Sequence, residues 1–174
     1  MKKKSRQVEQ YIYPASDPDS INEFLDKTAP LIGQIVHRFN TLEECLNYEL
    51  CHWFSDRTDT IGLIVINNMN YSSKVDLLKR FNHVYEKDCD IKLPIANKLV
   101  VGLEECGRLR NAVVHAEWEN TDFDGYTHVK IKFDKGRFTQ EYLQFTEESL
   151  KQILELISST LELFDEVDEE KQYR

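Results

Sequence analysis

Apolar residues along this chain recur mostly at steps of three and four, the period of helices that bury one face. Phe24, Leu31, Ile32, Ile35, Val36, Phe39, Leu42, Leu46, Leu50, Trp53 and Phe54 form one stripe. It predicts a long first helix, adjusted near Pro30 and entered from a loop marked by Pro14 and Pro18. A second helix is expected over 61–69, with Asp59 or Thr60 as cap. Its run Ile61-Gly62-Leu63-Ile64-Val65-Ile66 has no polar face, which predicts burial on most sides. Asn67, Asn68 and Asn70 break it. Ser72 or Ser73 can cap a third helix, in which Val75, Leu78, Phe81, Val84 and Tyr85 keep the rhythm to about Lys87. The fourth is expected to start near Pro94, acceptable in a first turn, and to end near Ala116.

The period then changes from helical to two. Thr127, Val129, Ile131 and Phe133 alternate with His128, Lys130 and Lys132, and Asp134-Lys135-Gly136-Arg137 supplies a turn before a second run to Phe145. A hairpin closed around Lys135-Gly136 sets Lys130 opposite Glu141 and Val129 opposite Tyr142. Thr146 with Glu147 and Glu148 opens a last helix, carrying Leu150, Ile153, Leu154, Ile157, Leu161 and Phe164. The expected fold class is therefore mainly α, about five helices up and down, with one β-hairpin inserted before the last helix. A length of 174 residues suits a single domain, with an N-terminal arm at 1–17, the hairpin at 126–145 and an acidic tail at 165–174.

Composition narrows the function classes. The formal charge is −9, so the molecule as a whole repels polyanions and any nucleic acid must be met locally. Lys2, Lys3, Lys4 and Arg6 make a basic arm, read as a solvated terminus and alternatively as an RNA contact. Asp165, Glu166, Asp168, Glu169 and Glu170 make the solvated acidic tail. No apolar run reaches the ~18 residues of a membrane span, and polar Gln7, Glu9 and Gln10 stand where a signal peptide needs its apolar stretch. Four cysteines without C-x-x-C spacing read as free thiols in a reducing cytoplasm. No metal or cofactor is expected: Cys51 and His52 lack a second close ligand pair, and Asp88 and Asp90 lack the glycine and closing glutamate of a calcium loop.

Candidate chemistry concentrates at the end of the fourth helix, in Arg108-Leu109-Arg110-Asn111-Ala112-Val113-Val114-His115-Ala116-Glu117. At about 100° per residue from Arg110, Leu99, Cys106, Leu109 and Val113 fall between about −20° and −100°, while Asn111 and His115 fall near 100° and 140°. Those two share a face away from the stripe. Arg110 adjoins it, and Leu103, Val114 and Val100 carry the apolar surface past it to about 80°. So wide a surface predicts cover on two sides, the second from another copy of the chain. Arginine grips a phosphate through paired hydrogen bonds, and histidine exchanges protons near neutrality. Together with Asn111 they make a phosphoryl-transfer kit without a carboxylate cluster. A helical histidine also serves as a simple C-terminal partner for the helix dipole, and Arg108 has a ready partner in Glu104.

The sequence R-N-x-x-x-H at the end of a late helix resembles the HEPN superfamily signature, an Arg followed after four to six residues by His, often with a polar residue directly after the Arg. Arg110, Asn111 and His115 match it position by position. The resemblance implies a HEPN-like bundle and a metal-independent endoribonuclease acting as a homodimer, with Arg110, Asn111 and His115 catalytic and Arg108 and Glu117 contacting the RNA substrate. It further implies a toxin–antitoxin or phage-defence setting with an antitoxin or defence-system partner protein. Family toxins silenced by nucleotidyltransferase antitoxins resemble R-x4-H-x-Y, and Glu117 stands where that tyrosine would be. The alternative reading is a non-catalytic HEPN-like module that binds a nucleotide, a protein or its own copy.

Overall fold

A computed structural model describes residues 1–8, 18–55 and 57–172. Along them run β1 (Lys3–Val8), α1 (Pro18–His52), α2 (Thr60–Ile66), α3 (Tyr71–Cys89), α4 (Pro94–Val114), β2 (Glu117–Thr121), β3 (Tyr126–Asp134), β4 (Arg137–Gln144) and α5 (Glu147–Gln172). The protein is mainly helical with a small antiparallel sheet. Pro18 is the first residue of α1 rather than part of the loop before it, and Pro14 lies outside the described residues. Pro30 sits within α1, where both it and Asp26, whose carbonyl loses its donor, are exposed to water. The chain forms two compact units, one of residues 1–36 and 109–154 and the other of residues 37–108 and 155–174.

The first unit holds the sheet, ordered β1-β4-β3-β2. Its expected hairpin is present, closed by Lys135 at φ 48° and Gly136 at φ 77°. Two positive φ values in succession give the tight turn whose twist matches the strands. Lys130 pairs with Glu141 as expected. Val129 does not face Tyr142, because a bulge makes it the extra residue and brings His128 opposite Tyr142.

Two more strands extend the hairpin. The basic arm is β1, antiparallel to β4 from Lys3↔Leu143 to Val8↔Phe138, and not a frayed terminus. Its lysines have partners: Lys3 lies 2.8 Å from Glu141, and Lys4 bonds Asp122 and sits 4.1 Å above the Tyr126 ring. Opposite charges and cation–π contacts repay ordering a polar segment. On the other side β2 joins β3 through Glu117↔His128 and Thr121↔Thr127, reinforced by a 2.9 Å bond between the two threonine hydroxyls. The helix after β4 has its expected cap. Thr146 Oγ1 accepts from the Ser149 amide at 3.1 Å while Ser149 Oγ accepts from the Thr146 amide at 2.9 Å, a reciprocal box closed by Ser149 instead of a glutamate.

In the second unit the core gathers Phe39, Leu42, Leu46, Leu50, Leu78, Leu99, Leu103 and Ile157, all essentially inaccessible. Tyr71 packs its ring at a tilt against Phe39, 4.7 Å between centroids, and donates its hydroxyl to the Leu103 carbonyl at 2.9 Å. Asn70 caps α3 by accepting from the Ser73 amide, in place of the expected serine. The acidic tail is the helical end of α5, which continues to Gln172: Asp165, Glu166, Asp168 and Glu169 are exposed as expected, whereas buried Glu170 accepts from the Ile95 and Ala96 amides at 3.3 and 3.1 Å. A carboxylate at the start of α4 satisfies donors that the helix cannot, and it meets the positive end of the dipole.

The second helix is shorter than expected, and its burial is the reverse of the expectation. Only Gly62 and Ile66 are buried, whereas Ile61, Leu63, Ile64 and Val65 are 43–72% exposed. Gly62 lets α2 rest directly on α1, since a Cβ there would lie 2.7 Å from Cys51 Cα. Nor does Asp59 supply a side-chain cap bond. An all-apolar run carries no period, so the sequence alone could not say which face would find a neighbour.

Candidate functional site at the end of α4

The motif sits where α4 meets β2, in the first unit. Leu109 and Val113 are buried and anchor the last turns of the helix. The final carbonyls of any helix lack intrahelical partners. Here Trp118, four residues beyond the helix end, donates its indole N–H to the Val113 carbonyl at 3.1 Å. Its ring stacks with Phe24 (6.3 Å between centroids) and packs against Phe145 at 5.0 Å. The tryptophan thus fastens the helix terminus to the apolar layer beneath. His115 follows in a turn, its amide donating to the Asn111 carbonyl at 3.0 Å.

On this terminus Arg110 is half-buried, while Asn111 and His115 are exposed. One guanidinium nitrogen of Arg110 donates to Asn111 Oδ1 at 3.0 Å, which holds two of the three motif residues together. Among the described residues, the His115 side chain has no hydrogen bond or ion pair, so its imidazole is open to a ligand. A half-buried guanidinium can present donors to a phosphate, and an exposed imidazole on the same helix end can exchange a proton near neutrality.

The two flanking residues expected to contact substrate are engaged elsewhere. Arg108 belongs to the second unit and forms a fork to Glu105, with bonds of 2.7 and 2.6 Å. Its partner is therefore not Glu104, which pairs with Lys79 at 3.2 Å. The Glu105 carboxyl is held below its usual range by the hydrogen bond from Arg108, burial opposing. Glu117 lies on β2 with Oε2 3.1 Å from His128 Nδ1, its cross-strand neighbour.

Pattern alone called for a second covering surface on α4. Leu99, Val100, Leu103, Cys106, Leu109 and Val113 are all buried within the chain itself, and of that apolar surface Val114 stays exposed. Burial inside one copy accounts for Val100 and Leu103 without a partner.

Sequence reasoning did not single out Asn120. It lies on β2, is 1% exposed, and among the described residues neither its amide oxygen nor its nitrogen has a hydrogen-bond partner. Glu117, Trp118, Glu119 and Asn120 line a cleft of about 410 Å³ that begins two residues after His115. A buried amide with both ends unpaired costs free energy that a ligand or water would recover. No residue pattern could have announced it, because satisfaction is a property of the fold.

Among the described residues no group of three His, Cys, Asp or Glu side chains could hold a metal ion, and no helix is long and apolar enough to cross a membrane. No protein-family model, curated protein or solved structure matches the chain.

Proposed function

We propose that this chain is a HEPN-type, metal-independent endoribonuclease whose reactive groups are Arg110, Asn111 and His115. The reading is carried by one observation: at a pinned helix end the motif's exposed histidine follows, one turn later, the asparagine that accepts from the half-buried arginine's guanidinium. In the proposed reaction the RNA 2′-oxygen attacks the adjacent phosphorus while the bond to O5′ breaks. His115 accepts the 2′-hydroxyl proton, and O5′ takes up a proton as it leaves. The products are a 2′,3′-cyclic phosphate and a 5′-hydroxyl. Arg110 donates to the non-bridging oxygens, where charge builds. Asn111 keeps the guanidinium oriented.

In this account two copies bring their motif ends together, each supplying one His115 and one Arg110, with exposed Val114 beside the motif as part of the contact. The unpaired amide of Asn120 suits the edge of a base, which offers both a donor and an acceptor. Substrate contact by Arg108 or Glu117 requires release from Glu105 or His128, and that engagement favours the second reading, a non-catalytic HEPN-like binding module. End-group analysis separates the two. Incubation of an end-labelled RNA with the protein in EDTA yields 2′,3′-cyclic ends if the enzymatic reading holds, and intact RNA under stoichiometric protein refutes it.

A further inference from the structure

A second cleft, of about 500 Å³, lies in the unit formed by residues 37–108 and 155–174, and it takes no part in the reading above. Its lining includes Trp53, which follows the end of α1 and stacks on Phe81 at 5.2 Å, edge-on to Tyr85 at 5.7 Å. One helical turn earlier on α1, Glu49 is buried and accepts the Trp53 indole N–H at 3.3 Å. Tyr48 stands 62% exposed at the lining. From the C-terminal end of α5 come Asp168 and, in its last turn, Lys171.

The Lys171 ammonium lies 4.6 Å from the Trp53 ring centroid and is hydrogen-bonded to Glu49. An aromatic face and a carboxylate together hold a cation well, because the ring quadrupole and the anion act in the same direction. The chain thus already shows an alkylammonium group seated in this cleft. Lys171 does not fully offset the two carboxylates: burial and then the charge of Glu49 push the Asp168 carboxyl above its usual range despite Lys171 and His52, which also lines the cleft. The volume is also that of a small-molecule site, many times what one ammonium fills.

We propose that this cleft binds an aliphatic polyamine, one of whose ammonium groups takes the place of Lys171 over Trp53 and against Glu49, with Asp168 as second acceptor. Two carboxylates call for N–H donors, which a quaternary ammonium lacks. A chain of net charge −9 also draws a polycation toward it.

The test is calorimetric titration of the full chain with spermidine. Wild type binds saturably. Lys171→Met removes the internal competitor and tightens binding about three- to tenfold, the scale of one partly screened charge. Lys151→Met makes the same change in net charge at an exposed lysine paired with Glu147, and leaves the affinity unchanged. Glu49→Gln weakens binding about tenfold or more, and Trp53→Phe weakens it about threefold by offering a poorer ring face. Tetramethylammonium binds more weakly than spermidine. The absence of saturable binding to wild type, or equal shifts in Lys171→Met and Lys151→Met, overturns the proposal; the Lys171 comparison stands even if a core variant fails to fold.

Discussion

Glu141 offers a quantitative check on the sheet that carries β1. It is 6% exposed and lies within 2.8 Å of Lys3, 3.5 Å of Lys130 and 2.7 Å of Lys132. Burial by itself would raise its carboxyl, but hydrogen bonds from Lys132 and Lys3 and their charges prevail and bring it from 4.5 down to about 2. At about 1.36 kcal/mol per pH unit that interval corresponds to about 3 kcal/mol. The three lysine side chains are 49–56% exposed, so water screens much of it, leaving about 1–2 kcal/mol.

A carboxyl lowered by folding stabilises above its unfolded value and loses that contribution as pH falls toward its folded value. Glu141→Gln keeps the shape and removes the charge. Urea denaturation at pH 7 is expected to show the variant less stable by about 1–2 kcal/mol, a Tm lower by about 2–8 °C for a chain of this size. The gap between wild type and variant then narrows as pH drops from 4.5 toward 2. A gap that stays constant over that interval, or one below about 0.3 kcal/mol at pH 7, would refute the assignment of three lysines to this one carboxylate.

Thr146→Ala removes the acceptor for the Ser149 amide and is expected to cost about 1 kcal/mol in chemical denaturation. Two glycine substitutions have opposite signs. Gly62→Ala drives a Cβ to 2.7 Å from Cys51 Cα and destabilises by about 1–3 kcal/mol. Gly33→Ala on α1, with nothing within 4 Å of the new carbon, stabilises by about 0.5–1 kcal/mol. Equal effects at the two glycines would contradict the close approach of α2 to Cys51.

Long periodic segments were legible because a helix that buries one face writes that face into its spacing. The stripe from Phe24 to Leu50, the turn at Lys135-Gly136 and the pairing of Lys130 with Glu141 were all readable in this way. Edge strands were not. β1 is polar at nearly every position, as strands that must not pair with other chains tend to be, and without its partners a lysine-rich segment looks like a solvated arm. β2 is five residues long and shows no alternation. Within the acidic tail only Glu170 went unread, for a related reason: it is spent on α4 amides that are distant in sequence. Motif residues could be named from spacing, yet the indole of Trp118 that fixes their helix end, the engagement of Arg108 by Glu105 and the unpaired amide of Asn120 depend on tertiary contacts.

The enzymatic account rests on the imidazole of His115, which is exposed and bonded to no other described side chain. Single-turnover cleavage of RNA in EDTA by wild type beside His115→Ala tests it most directly, with melting temperatures measured in parallel. The account predicts a rate loss of about 10²–10⁴-fold, the usual worth of a positioned proton-transfer group, with stability within about 0.5 kcal/mol, as for an exposed side chain. Cleavage at the wild-type rate by a folded His115→Ala protein would contradict it.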